Sequence, residues 1–360
     1  MKQFRLIISG GGTGGHIYPA LAIAKGLRKK YSDTNILFVG AKGKMEMEKV
    51  PKEGFKIIGL CISGFKRSLS IQNLLFPFKT IFSMVHSLRI LKKFKPDIVV
   101  GTGGFASGPI LKVAQLLGLP TLIQEQNSYP GVTNRILSKN ANKICVAYKG
   151  LELYLPKKKI IITGNPVRES LTKIKISSKA KLLFGFNPKI KILVIIGGSL
   201  GSKRINQLIE KQKEFILKLG IQILWQCGSL YYNEYKNLES TGIVIRPYFD
   251  NMENVYSAAD FIISRAGALS ISELCCVGKP LILIPSPNVT ANHQLKNAKA
   301  LSEANAAIMI KESELDKDFN KKFLLLISNI SKQKQLKNNL KKFAKPFATD
   351  DIINQIIELK

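Results

Sequence analysis

Ile8 to Ala20 reads ISGGGTGGHIYPA, five glycines and a threonine with a histidine directly behind them. Phe4 to Ile8 is a short β-rich apolar run, and apolar residues after the glycines take up a helical spacing. A buried strand, a glycine turn and a helix start, in that order, belong to a parallel α/β sheet. Such a turn exposes unpaired N–H groups at the positive end of the helix, and glycines let the backbone come close to a phosphate.

The device recurs in KILVIIGGSLGS, Lys191 to Ser202, and again in PDIVVGTGGFASGP, Pro96 to Pro109. Around these stretches, short strands alternate with helical segments. In the first half the strands are Phe4–Ile8, Ile36–Val39, Ile57–Gly59, Ile98–Val100, Thr121–Gln124 and Lys143–Val146. In the second half they are Lys191–Ile196, Gln222–Trp225, Gly242–Ile245, Phe261–Ser264 and Leu281–Ile284. The rhythm predicts two α/β domains with parallel sheets, whose strand carboxyl ends face a ligand cleft. ITGNPVRES, Ile162 to Ser170, reads as the linker, giving domains at 1–165 and 166–342. Residues 343–360 are expected to form a helix packing back on the first domain.

Totals agree with two domains, since 360 residues exceed what one core usually organises. The 55 lysines and arginines outnumber 24 acids, a net charge of +31 that favours anionic partners, although a lysine-rich composition alone gives the same excess. Five cysteines and three scattered histidines show no metal-ligand spacing, which predicts a reduced protein without a zinc site. The longest apolar runs fall short of a membrane span, and glycine interrupts the first too early for a signal peptide. A soluble or membrane-surface protein is expected.

Motif tests narrow the chemistry. Gly10, Gly12 and Gly15 satisfy G-x-G-x-x-G, yet the second strand ends in Gly40, Ala41 and Lys42, without the acid that a dinucleotide ribose needs. A Walker loop fails too, because His16 and Ile17 follow Gly15. In ADFIISRAGALSISEL, Ser270 and Glu273 have the spacing of a capping box; alternatively, the turn holds a diphosphate while Glu273 accepts ribose hydroxyls. In NVTANHQLKNA, His293, Gln294 and Asn297 stand together at a helix start, suited to a sugar or to a solvated face.

Taken in order, GGTGGHIYPALAIA, GTGGFASGP, EQNSYPGVTNRIL, GNPVR, GGSLGS, RAGALSISEL, GKPLILIP and NHQLKNA resemble glycosyltransferase family 28 across some 300 residues. The resemblance is to its bacterial members that build the peptidoglycan lipid precursor. It implies the GT-B fold of two Rossmann-like domains, with UDP-N-acetylglucosamine held mainly by the second and a lipid I acceptor by the first. Carried over by motif, Thr13, Gly14, Gly15, Asn127, Arg168, Ser199, Phe249, Ala268, Leu269, Ser270, Ile271, Ser272, Glu273 and Gln294 would contact the donor. Glu273 would then take the ribose hydroxyls.

The implied reaction is an inverting transfer to the muramoyl 4-hydroxyl, with no cofactor or required metal. A helix start with Arg168 or Ser199 nearby would stabilise the departing diphosphate. His16 and Glu125 are the candidate bases, His16 because an imidazole beside the glycine loop can act as a base near neutral pH, its alternative being to fix that loop. Phe105 and Gln124 stand where the family often has tyrosine and histidine.

Between Leu69 and Lys95 the apolar residues cover more of a helix than one core stripe needs. Phe82, Val85 and Leu88 are assigned to the core, leaving Leu74, Phe78, Ile81 and Met84, ringed by Lys66, Arg67 and Lys79, for an anionic membrane surface, the alternative being a wide helix buried under a loop. The resemblance places the chain peripherally on the cytoplasmic face of the inner membrane, where cell-wall synthesis proteins are potential partners. Two rivals are a nucleotide-sugar epimerase of the same shape and a nucleic-acid binder; the second lacks a recognition module, so no nucleic-acid partner is expected.

Overall fold

The computed structural model describes residues 3–64, 76–198, 200–289 and 292–360. The chain forms two compact units, Met1–Val167 with Phe347–Lys360, and Arg168–Pro346. Among the described residues no helix is long and apolar enough to cross a membrane.

In the first unit seven parallel strands run β1 Arg5–Gly10, β2 Asn35–Ala41, β3 Lys56–Leu60, β4 Ile98–Gly103, β5 Thr121–Glu125, β6 Lys143–Val146 and β7 Ile160–Ile162. Their spatial order is β3-β2-β1-β4-β5-β6-β7. The second unit has β8 Lys191–Ile196, β9 Ile221–Gln226, β10 Ile243–Arg246, β11 Phe261–Ser264, β12 Leu281–Leu283 and β13 Ile308–Met309, ordered β10-β9-β8-β11-β12-β13. Each unit therefore sets its first strand beside its fourth, the topological switch outside whose carboxyl ends ligands bind in such sheets.

Side-chain alternation builds the core on both sheet faces. Leu6 and Ile8 point into one apolar cluster while Ile7, between them, points into another. The sequence reading misses β7 and β13, which are short edge strands of three and two residues. Too few residues alternate there to reveal a period.

The terminal helix Ala348–Ile357 belongs to the first unit, where Ile352, Ile353 and Ile356 join the cluster containing Leu6 and Ile8. Gly26 on the helix Gly14–Lys30 makes that contact close: a Cβ there would lie 2.8 Å from Ile353 Cδ1 and 2.9 Å from Thr349 Cγ2.

The helix Phe76–Phe94 takes a different rotation from the expected one. It buries Ser83, Ser87, Ile90 and Leu91, and Met84 and Leu88 pack against the core. Phe82 and Val85, assigned to the core from sequence, are exposed with Phe78 and Ile81, whereas Met84, assigned to the outward strip, packs inward. Two serines explain the difference, because their small side chains let the helix approach Ser107–Leu116 closely; Ser87 Oγ donates to the Ser83 carbonyl at 2.7 Å. Leu74, Lys66 and Arg67 lie outside the described residues.

Candidate functional site

In the first unit, the chemistry gathers at the carboxyl ends of β1, β4 and β5. The glycines here serve packing as well as access. Gly104 has φ 79°, and a Cβ there would lie 2.2 Å from the Gly11 carbonyl oxygen; one at Gly103 would lie 2.9 Å from His16 Nδ1. Two glycine turns thus interlock around the histidine ring.

Glu46 is the unanticipated member of this site. Its carboxylate, fully buried, accepts N–H bonds from Gly12 at 3.1 and 3.2 Å and from Ala41 at 3.0 Å. The acid that seemed absent from the end of β2 stands five residues beyond it, committed to the backbone. The Gly12 N–H is consequently not open to a phosphate. Among the described residues, no protein acceptor takes the N–H of Thr13, Gly14 or Gly15, and Thr13 caps its helix without a side-chain bond.

His16 is half-buried, with Nδ1 3.0 Å from both the Thr102 carbonyl and Gln126 Oε1. A backbone carbonyl can only accept, so Nδ1 carries the proton and the neutral ring keeps its lone pair on Nε2. Gln126 is oriented in turn, its Nε2 donating to the Thr102 carbonyl at 2.7 Å and to Gln124 Oε1. Gln124 Nε2 continues the chain to Asn165 Oδ1 at 3.0 Å, and Asn165 Nδ2 returns to the Gln126 carbonyl at 3.1 Å. Gln124 is a buried link in this network.

Glu125, the other candidate base, is enclosed by its own loop. Oε1 accepts from Asn127 N at 2.9 Å and Asn127 Nδ2 at 3.2 Å, while Oε2 accepts from Gly131 N at 3.0 Å and Asn134 Nδ2 at 2.8 Å. Only 1% of the residue is exposed. Such a carboxylate holds the loop together and offers no free lone pair toward solvent. Asn127, predicted on the donor, is one of its partners.

In the second unit the helix Ala268–Val277 follows β11. Its N-cap is Gly267, no side chain caps it, and no acid stands in its first turn. Ser270 is inside the helix, so the capping-box alternative is incorrect. The N–H groups of Ala268, Leu269 and Ser270 have no acceptor among the described residues. Ala268 and Ile271 are buried in the core, Leu269 and Ser270 are partly exposed, and Ser272 Oγ donates to the Ala268 carbonyl at 3.0 Å.

One turn further along, Glu273 Oε1 takes Arg168 Nε and Nη2, both at 3.1 Å, and Oε2 takes the Tyr256 hydroxyl at 3.4 Å. Burial pushes the Glu273 carboxyl above its ordinary range, against the opposing pull of Arg168 and Tyr256. Arg168 and Glu273 are 105 residues apart in sequence and meet as an ion pair.

The remaining predicted positions scatter in role. Phe249 is buried against Phe184, with its N–H on Gln226 Oε1 at 3.2 Å. Gln294 Oε1 accepts from Ser286 N at 2.9 Å. Asn297 is buried and holds the Ala266 carbonyl at 3.2 Å, neither on a solvated face nor toward a ligand. Ser199 lies outside the described residues. The helix Lys203–Lys218 behind that loop is closed by Ser202, whose Oγ accepts from Ile205 N at 3.4 Å. These three strand-to-helix turns therefore differ in how many backbone donors they leave open.

Residues 6–146 match the glycosyltransferase family 28 N-terminal domain, and residues 192–352 match the family 28 C-terminal domain. The chain belongs to glycosyltransferase family 28. Its two parallel-sheet units have the family's GT-B architecture. A family 28 relative from Flavobacterium psychrophilum, the UDP-N-acetylglucosamine–N-acetylmuramyl-(pentapeptide) pyrophosphoryl-undecaprenol N-acetylglucosamine transferase, is 52% identical over 361 residues, covering 100% of this chain and 98% of the relative. Among solved structures, that of Acinetobacter baumannii MurG aligns with a TM-score of 0.75 at 26% identity, over 99% of this chain and 100% of the other. A UDP-GlcNAc 2-epimerase from Neisseria meningitidis bound to UDP-GlcNAc gives a TM-score of 0.69 at 18% identity, over 99% and 100% of the two chains, and so shares the fold.

Proposed function

We propose that this family 28 chain transfers N-acetylglucosamine from UDP-N-acetylglucosamine to undecaprenyl-pyrophosphoryl-MurNAc-pentapeptide, converting lipid I to lipid II in peptidoglycan synthesis. The observation that carries this reading is the 52% identity over the whole chain to a transferase of that name.

The acceptor is the muramoyl 4-hydroxyl. Its proton passes to His16 Nε2, its oxygen bonds to the anomeric carbon with inversion, and the bond from that carbon to UDP breaks. The Nδ1 proton shared with Thr102 and Gln126 supports this role by leaving Nε2 as the basic atom and by holding the resulting imidazolium. Glu125, with four N–H bonds already accepted, is the weaker candidate and serves as the loop's anchor.

UDP leaves with new negative charge on its diphosphate. The uncapped start of Ala268–Val277 supports a diphosphate site there, since its open N–H groups and helix dipole stabilise that charge without reorganising. No metal is required in this scheme. Glu273 accepts the ribose hydroxyls, and Arg168, paired with its Oε1, holds the carboxylate in place.

The enzyme works peripherally on the cytoplasmic face of the membrane. Phe78, Ile81, Phe82 and Val85, at helical spacing and all exposed, form the apolar strip that enters an anionic leaflet, with Lys79 beside them.

Incubation with labelled UDP-N-acetylglucosamine and a short-chain lipid I analogue tests the assignment. Label should enter the lipid fraction only when the analogue is present. Isomerised sugar nucleotide without any acceptor, or no transfer at all, would overturn it.

A further inference from the structure

At the amino-terminal edge of the second unit's sheet, where β8, β11 and β12 begin, lies a cavity of about 1160 Å³. It is lined by Lys191 and Phe261 at strand starts, by Cys276 to Pro280 at the end of the helix Ala268–Val277 and just beyond it, and by one face of the helix Ile330–Lys342. Within this unit it opens at the opposite sheet edge from the uncapped helix start that serves the donor in the scheme above.

Charge sets this cavity apart. Six lysines line it: Lys175, Lys191, Lys279, Lys334, Lys337 and Lys341. Its one lining carboxylate, Asp260, is already engaged, bonded to Lys181 Nζ and to the Ile192 N–H at 2.7 and 2.9 Å. Among the described residues none of the six lysines makes an ion pair with a carboxylate. Exposed lysines at such spacing simply stay hydrated, but Lys279 differs: only 7% of it is exposed, and its ammonium makes no hydrogen bond or ion pair among the described residues.

Burial, with Lys337 and Lys181 adding repulsion and Asp260 only partly opposing, pulls the Lys279 ammonium down to about 8. A buried cation in a roomy cavity with five other cations and no spare acid has an electrostatic deficit that an anion removes. A single phosphate leaves most of that charge unmatched. The volume and charge together call for several phosphates on one molecule, and Ile174, Ile176 and Ile330 give its carbon skeleton an apolar wall.

We infer that this cavity is a second binding site, separate from the donor site, for a small molecule carrying two or more phosphate groups. The phosphates ligate Lys279 at the base and Lys334, Lys337 and Lys341 from the helix face. The source is either a free polyphosphorylated compound or phosphate headgroups at a membrane surface.

Inorganic tripolyphosphate, titrated calorimetrically into the full chain with saturating UDP-N-acetylglucosamine, tests the inference. One-to-one binding is expected, weakened tenfold or more by Lys279→Gln and by Lys337→Gln. The surface control Lys211→Gln should leave it unchanged, and Lys279→Arg should restore most of the affinity while melting curves verify folding. Co-sedimentation with phosphatidylglycerol vesicles distinguishes the source: vesicle binding lost with the same lysines, without tripolyphosphate binding, assigns the site to headgroups. Loss of tripolyphosphate binding in saturating UDP-N-acetylglucosamine would assign it to the donor site and overturn the inference. Equal weakening by Lys211→Gln, or no binding in either arm, would also overturn it.

Discussion

At the residue scale, His16 is a case of a side chain whose chemistry is set by what its other nitrogen touches. Nδ1 faces two acceptors, Thr102 O and Gln126 Oε1, so in the proposed scheme the basic atom is Nε2. His16→Ala is expected to lower kcat by about 10²–10⁴-fold. Steady-state transfer at saturating donor and acceptor measures it. Near-normal turnover would return the histidine to a loop-fixing role.

Lys279 yields a prediction of stability against pH. Its folded value of about 8 lies below the ordinary 10.5, so between those values the unfolded chain binds the extra proton. The cost of burying the ammonium is therefore full below pH 8, shrinks as pH rises, and vanishes above 10.5. At roughly 1.4 kcal/mol per pH unit it is on the order of 3 kcal/mol. Lys279→Met should stabilise the protein at pH 7, and urea unfolding at pH 7 and pH 10 should show the gain shrinking at the higher pH. An equal gain at both values would mean the ammonium is not the cause.

At the element scale, the helix Phe76–Phe94 depends on its rotation. The apolar excess in its sequence is plain, but two buried serines decide which strip faces outward. The double variant Phe78→Asp, Ile81→Asp should retain its melting temperature and soluble-acceptor turnover while losing most vesicle binding, because both side chains are exposed. Retained co-sedimentation with anionic vesicles would place the membrane contact elsewhere. The terminal helix makes the opposite kind of contribution. Ile353 is fully buried against Gly26, so Ile353→Ala should destabilise the first unit by about 2–5 kcal/mol in denaturant unfolding. A change below 0.5 kcal/mol would contradict the packing.

The scale of elements is also where reading from sequence loses precision. Strands β1, β8 and β11 are buried on both faces and flanked by glycine turns, so their residue order alone reveals them. Three strand-to-helix turns nevertheless acquire different functions: Glu46 takes a donor of the first, Ser202 closes the helix after another, and Gly267 leaves its helix start open. Nothing in a glycine pattern encodes which distant side chain will occupy its N–H groups.

For the whole molecule, the net charge of +31 has two consequences at different ranges. Over the surface it favours anionic partners in a way that salt screens, and in the lysine cavity it is concentrated where screening is weaker. The chemistry needs no cation in the proposed scheme, because the open N–H groups and dipole of the helix Ala268–Val277 act on the leaving diphosphate. Transfer should therefore continue within about twofold in excess EDTA, assayed with the lipid I analogue; a tenfold loss restored by magnesium would refute that part of the mechanism.

Local order along the chain was enough for the α/β class, the two repeated sheets, the boundary near Gly164 to Arg168 and the family, since these rest on strand period, turn glycines and motif succession. Tertiary structure alone decided that Arg168 meets Glu273, that Glu46 fills the Gly12 donor, that Gln126 aims His16, and that six lysines converge on one cavity. The physical reason is separation along the chain: periodicity reports which way a residue faces, while an ion pair or hydrogen bond between distant segments exists only once both have been packed together.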